Sequence, residues 1–462
     1  MNQTTIVGQI KISDSLYPYS YNKTEEKITV YLGNHFVSLP EDTDTFVGQK
    51  YETQTEDKTL YKLCFPFSNE YMSIEEGSIV YYSLGNKISP VDYIIENYKE
   101  NSRYSEIRFQ FPELNYFIPS INRATIENQQ IVISRLAEEL LCFDFEYQNI
   151  IVNITFLSKM NCRKNVKATI ETISEVKVKF AETDDIEFIR SLYEIIRCFF
   201  AFICNRKNIG LRKAVLVGKY PYKKNQEGKI VEVYSSTTQE IIFSQKFLEP
   251  EENDSIVAKT PHYSLFSEKI SELFKLFSTE VNEYGPIVNS NSIHHSIKYR
   301  NLIDLEQSLH ITATFEFYLK TLLPEISSQS TLDFFHDLED LLEKYIEENK
   351  GKKREKAKEF KKRLNPNVAL KDKIIKVYNG YSTWEPLKPI LIEFFGENIS
   401  GIAETANLWR NELAHEKREY QPSEDVIRAV RLIEHINYCI VLRKAGYNDE
   451  QIKNIVSEIL TR

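Results

Sequence analysis

Arg410 and His415 stand near the end of a 462-residue chain, in the segment Arg410-Asn411-Glu412-Leu413-Ala414-His415. Cutting RNA without a metal requires a group that moves protons at the ribose 2′-OH and at the leaving 5′-oxygen, and positive charge beside the phosphate. An imidazole, with an ordinary pKa of about 6.5, suits the first task. A guanidinium, always charged and carrying a flat fork of donors, suits the second. Asn411 lies one helical turn before His415, where its amide could orient the imidazole or touch substrate. Lys417 and Arg418 follow directly and are candidate RNA contacts, with a solvated helix end as the plainer alternative. A spacing of two residue types is weak by itself, so the elements that carry it must decide.

The apolar residues Ile399, Ile402, Ala403, Ala406, Trp409 and Leu413 recur at three-and-four spacing, which predicts a helix with one buried stripe. Arg410 falls within that stripe, and Asn411 and His415 lie to one side. An unpaired guanidinium in a core costs several kcal/mol, so Arg410 needs a carboxylate or is reserved for a phosphate. A second helix over 301–320 offers the acid. Its stripe is expected at Leu302, Leu305, Leu309 and Ala313, with Glu306 at the edge, Glu316 within it, and His310 one turn after Glu306. Both acids should then face the core, and either could receive Arg410. The competing reading has Arg410 in a structural ion pair and Glu316 in solvent before Pro324.

These residues resemble the HEPN domains, a family whose all-helical ribonucleases carry an Arg-x4-6-His motif that often begins Arg-Asn. The resemblance rests on Arg410-Asn411, on Ala414-His415 and on the upstream Leu305-Glu306-Gln307-Ser308-Leu309-His310, within residues 290–462. The whole chain also resembles, in layout, the ApeA-type bacterial anti-phage proteins, in which a β-rich N-terminal region precedes such a domain. The resemblance implies catalytic Arg410 and His415, a supporting Asn411, and Glu306 as an orienting acid. It further implies an RNA substrate, abortive-infection defence, a homodimer through the helical domain, and a phage-derived trigger acting on the N-terminal region. No segment resembles the nucleotidyltransferase partner of the toxin–antitoxin branch. The dimer also has a chemical reason. Transesterification wants both a base and an acid, and the motif holds one histidine, so two copies would complete the pair. A non-catalytic dimerisation protein is the alternative.

The rest of the chain bounds these readings. With 42% hydrophobic and 27% charged residues it is an ordinary globular sequence, long enough for two or three domains. A net charge of −9 argues against indiscriminate coating of nucleic acid, so any RNA contact must be local. The N-terminus lacks a signal peptide, and the apolar stretch Ile186 to Cys204 contains Glu187, Arg190, Glu194 and Arg197, which predicts a buried amphipathic helix and a cytoplasmic protein. Six cysteines form no Cys-x2-Cys pair and read as reduced core thiols; His294-His295 has no third ligand in sight. With 14 glycines and no phosphate loop, no cofactor or metal is expected.

Runs of β-branched and aromatic residues punctuated by Gly, Pro, Asn or Asp predict strands through about residue 180, with more near 214 and 230. A long helix over about 184–205, capped by Thr183 or Asp184, should pack on them. The expected fold is α+β: a sandwich-like, β-rich region over 1–285, with a possible division near 180–210, followed by an all-helical domain over 286–462. Within the latter, Asp337 to Glu348 holds six acids and one lysine, and Lys350 to Arg363 holds nine Lys/Arg and two Glu. This run reads either as a phosphate-attracting edge or as a solvated helix pair neutralising itself.

Overall fold

A computed structural model describes residues 5–12, 15–22, 24–25, 27–32, 45–50, 60–64, 71–75, 78–82, 86–90, 92–118, 124–127, 130–133, 137–163, 169–226, 229–243, 254–279, 293–294, 305–323, 329–363, 369–414 and 422–460. The fold is α+β, with a β-rich N-terminal region followed by a helical C-terminal region. The chain divides into two compact units. One comprises Met1–Arg197 with Asn208–His262, and the other Cys198–Lys207 with Tyr263–Arg462.

In the first unit thirteen strands join in one hydrogen-bonded order. From one edge they are Ala137–Tyr147, Ile150–Arg163, Thr169–Thr183, Arg103–Phe109, Lys213–Gln226, Lys229–Phe243, Tyr93–Glu96, Leu60–Cys64, Thr45–Lys50, Thr5–Ile12, Ser15–Asn22, Lys27–Tyr31 and Asn86–Pro90. Alternation explains the strands. Along Thr5–Ile12 the residues Ile6, Ile10 and Ile12 are buried while Val7 and Lys11 face out. The hairpin joining the first two strands turns through Gln148 and Asn149, both at positive φ, a conformation suited to tight hairpin turns and most easily adopted by Asn or Gly.

Helix α1 (Pro112–Phe117) sets Phe117 against Phe156. Helix α2 (Ile186–Cys204) is capped by Asp185, whose Oδ1 accepts from the backbone N–H of Glu187 and Phe188. Thr183 instead accepts from Asp185 N–H, so the cap lies one residue beyond the expected pair. Within the first unit, α2 buries Phe188, Ile189, Leu192, Tyr193 and Ile196, and the Tyr193 ring stacks on Phe243 at 3.9 Å. Helix α3 (Asp254–Val257) is a single turn.

The helical unit is built around α11 (Glu424–Lys444), which buries every residue from Ala429 to Leu442 except Arg431. A helix buried on all sides over about four turns belongs in the middle of its unit. Around it pack α4 (Ile270–Ser278), α5 (Leu305–Leu322), α9 (Lys388–Phe395), α10 (Ile399–Ala414) and α12 (Asp449–Leu460). Helix α8 (Leu370–Asn379) lies against α10, while α6 (Gln329–Glu348) and α7 (Lys352–Arg363) pack mainly on each other. Phe199 meets Phe274 at 4.5 Å, and Phe202 stacks on Tyr438 at 4.4 Å. These aromatic contacts draw 198–207 and 263–279 into the helical unit, placing the division at His262/Tyr263 where the polar punctuation had suggested 285. Among the described residues no helix is long and apolar enough to cross a membrane.

Candidate functional site

Helix α10 buries Ile399, Ile402, Ala403, Ala406 and Trp409 against α5, α8 and α11. Arg410 follows Trp409 but is 44% exposed, which corrects the expectation that it sits inside the buried stripe. On the facing helices it meets the carboxylate of Glu316, which Lys373 also contacts. Arg410 Nη2 lies 3.5 Å from Glu316 Oε1, and Lys373 Nζ donates to the same oxygen at 3.2 Å. One carboxylate thus holds two cations, leaving an excess positive charge. Nearly two turns back from Arg410, Lys371 donates to Glu404, tying α8 to α10.

The acid paired with Arg410 is therefore Glu316 and not Glu306. Glu306 is 79% exposed and pairs with His310 Nε2 at 3.5 Å along its own helix. The expected stripe of α5 was rotated from the real one. Leu309 and Ala313 are exposed, while Ser308, Ile311, Thr312, Phe315, Tyr318, Leu319 and Leu322 are buried. The large side chains toward the C-terminal half set the phase. Small polar residues ride with them, as Thr312 does by donating its hydroxyl to Ser308 C=O. Glu316 lands at the edge of this face, half-buried, with reach to both α8 and α10.

Asn411 is exposed in the last turn of α10, beside Arg410. His415, Lys417 and Arg418 lie outside the described residues. Lys373 was missed by sequence reasoning. It sits on a third helix with several lysines, and nothing in the local pattern separates it from Lys371 or Lys376.

A second polar cluster in the helical unit centres on a buried carboxylate. Glu434, 2% exposed, receives Arg431 Nη1 at 2.6 Å and Asn205 Nδ2 at 3.4 Å, and its Oε1 lies 3.3 Å from His294 Nε2. Tyr438 Oη donates to Phe202 C=O and meets Asn205 Oδ1 at 3.1 Å. Burial alone would push the Glu434 carboxyl up, but the His294 hydrogen bond and the Arg431 guanidinium outweigh it and hold the carboxyl far below its usual range. The signal in the sequence was an acid inside the apolar run of α11, and its partners come from distant segments. Because solvent does not reach Glu434, this cluster ties segments together, whereas the Arg410 group can meet a ligand.

Among the described residues no three His, Cys, Asp or Glu side chains gather as a metal site. His294 is occupied with Glu434, and His295 lies outside the described residues. Cys198, Cys204 and Cys439 are buried, as core thiols should be, while Cys142 is exposed, a correction to that reading. Burial pushes the Cys439 thiol up to about 12.

What remains is a two-cation, one-carboxylate group near the end of α10, in which the exposed Arg410 is suited to holding an anion such as a phosphate while Lys373 and Glu316 are partly buried. No protein-family model, curated protein or solved structure matches the chain.

Proposed function

We propose that the helical unit is a metal-independent endoribonuclease of the HEPN type. The observation that carries this reading is the half-exposed Arg410 held by Glu316 beside Lys373, five positions before His415 in the chain. In this mechanism His415 takes the proton from a ribose 2′-OH, whose oxygen attacks the adjacent phosphorus. The P–O5′ bond breaks, and the leaving oxygen takes a proton from the His415 of a second copy. The products are a 2′,3′-cyclic phosphate and a 5′-OH end. Arg410 stabilises charge on the non-bridging phosphate oxygens, Glu316 positions its fork, Lys373 adds attraction for the strand, and Asn411 supports His415. Lys417 and Arg418 extend the contact with RNA.

The protein acts as a homodimer through its helical unit, in the cytoplasm, in defence against phage, with the β-rich unit receiving the trigger. The exposure of Arg410 counts against the alternative in which it is only a core ion.

Purified protein incubated with RNA in EDTA, beside His415→Ala and Arg410→Ala, tests the reading. Wild type should release cyclic-phosphate ends, and both variants should lose at least about a hundredfold in rate. Cleavage that persists in both variants, or on RNA lacking the 2′-OH at the cut, refutes it.

A further inference from the structure

Helices α6 and α7 form a hairpin with one unusual flank. The two helices pack on each other, with Leu338, Leu342 and Ile346 half-buried along one face of α6 and Ala357 buried on α7. Glu343 pairs with Lys361 along one flank, which fixes both the register and the sense of rotation. At about 100° per residue, Leu341 and Tyr345 fall on the opposite flank of α6, and Phe360 falls on that same flank of α7. These three are exposed by 64%, 44% and 57%. At their border stand Glu348 on α6 and Lys356 on α7. The two are level along the hairpin, because each lies five residues nearer the turn than its member of the Glu343–Lys361 pair.

We propose that this flank joins two copies of the chain, their hairpins forming a four-helix bundle about a two-fold axis parallel to the helices. Charge selects this arrangement. An axis along the helices lays each acidic α6 over the basic α7 of the other copy, so Glu348 meets Lys356 twice, around a core of Leu341, Tyr345 and Phe360. An axis across the helices would set acid over acid and base over base. A nucleic acid would be drawn to α7 but repelled by the seven acids of α6, and three apolar side chains would stay wet at its centre. The inference deepens the dimer proposed above by assigning its surface, yet it stands on the hairpin alone.

Sedimentation of the full-length chain at tens of micromolar tests it. Wild type should show twice the 54.2 kDa chain mass. Phe360→Arg should weaken self-association at least about tenfold with helix content unchanged. Lys356→Glu should weaken it too, and Lys356→Glu combined with Glu348→Lys should restore it. That rescue decides the matter even if Phe360→Arg fails to fold. A monomeric wild type, or a dimer indifferent to all these changes, overturns the proposal. So does a Lys356→Glu protein that keeps its dimer mass but loses RNA binding, which would give the hairpin to nucleic acid. RNA cleavage measured on the same samples keeps the two readings apart. A dimer that cuts no RNA overturns the nuclease and leaves the hairpin interface standing, and a monomeric variant that still cuts overturns only the need for two copies.

Discussion

Replacing Glu434 with alanine should be among the most damaging single changes in the helical unit. The substitution leaves the buried His294 and Asn205, and the partly buried Arg431, facing an empty acceptor. Deleting one member of a buried ion pair costs about 3–5 kcal/mol, because the surviving charge keeps its desolvation cost without its partner. For a unit of roughly 200 residues this is a fall on the order of 10 °C in Tm. The natural control lies in the same unit. Glu316 also holds two cations, but Arg410 is 44% exposed and the contact is 3.5 Å long, so Glu316→Ala should cost under about 1 kcal/mol, a few degrees at most. Glu434→Gln separates charge from hydrogen bonding by keeping an acceptor for Arg431, and should fall between the two. Thermal melts followed at a helix wavelength, with urea titrations for the free energies, provide the comparison. If Glu434→Ala melts no lower than Glu316→Ala, the buried network does not hold the unit together and the argument from burial fails.

Two further outcomes follow from the geometry. The folded-state value of Glu434 is depressed, so its contribution is fully present above the ordinary value of 4.5 and is lost as the pH falls through and below it. Unfolding titrations from pH 7 to pH 3 should show declining stability in the acid range, and Glu434→Gln should flatten that decline; equal slopes would refute it. In the β-rich unit, a Cβ on Gly218 would lie 2.0 Å from the backbone oxygen of Arg103, beside the register shift between Tyr104 and Glu106. Gly218→Ala should therefore cost about 1–3 kcal/mol, and an unchanged melt would mean that the strands are not apposed as described.

Legibility differed by element. The strand runs at 130–133, 150–156 and 168–180 and the helix near 184–205 were readable because alternation and three-and-four spacing are local properties of the chain. The pairing of Arg410 with an acid from 301–320 was readable as a need, since the residue falls within an apolar stripe of the sequence, although in the fold it is 44% exposed. The choice of Glu316 over Glu306 was not. It depends on the rotation of α5, which Phe315, Tyr318 and Leu319 impose by packing, against a set of leucines equally plausible on paper. Lys373 was hidden for a similar reason, since it matters only because α8 crosses α10 where Glu316 arrives.

By itself the sequence determined many of the strands and helices, the order of a β-rich part before a helical part, and the presence of Arg410-Asn411 before His415. These follow from the residue period and from the short reach of backbone hydrogen bonds. Only tertiary structure decided which acid Arg410 meets, that Lys373 shares it, that His294 and Asn205 converge on Glu434, and that Leu341, Tyr345 and Phe360 emerge on one flank of a hairpin. Each of those facts joins residues from different elements, and the rotation that brings them together is chosen by the packing of large apolar side chains across the whole unit, a property no local window contains.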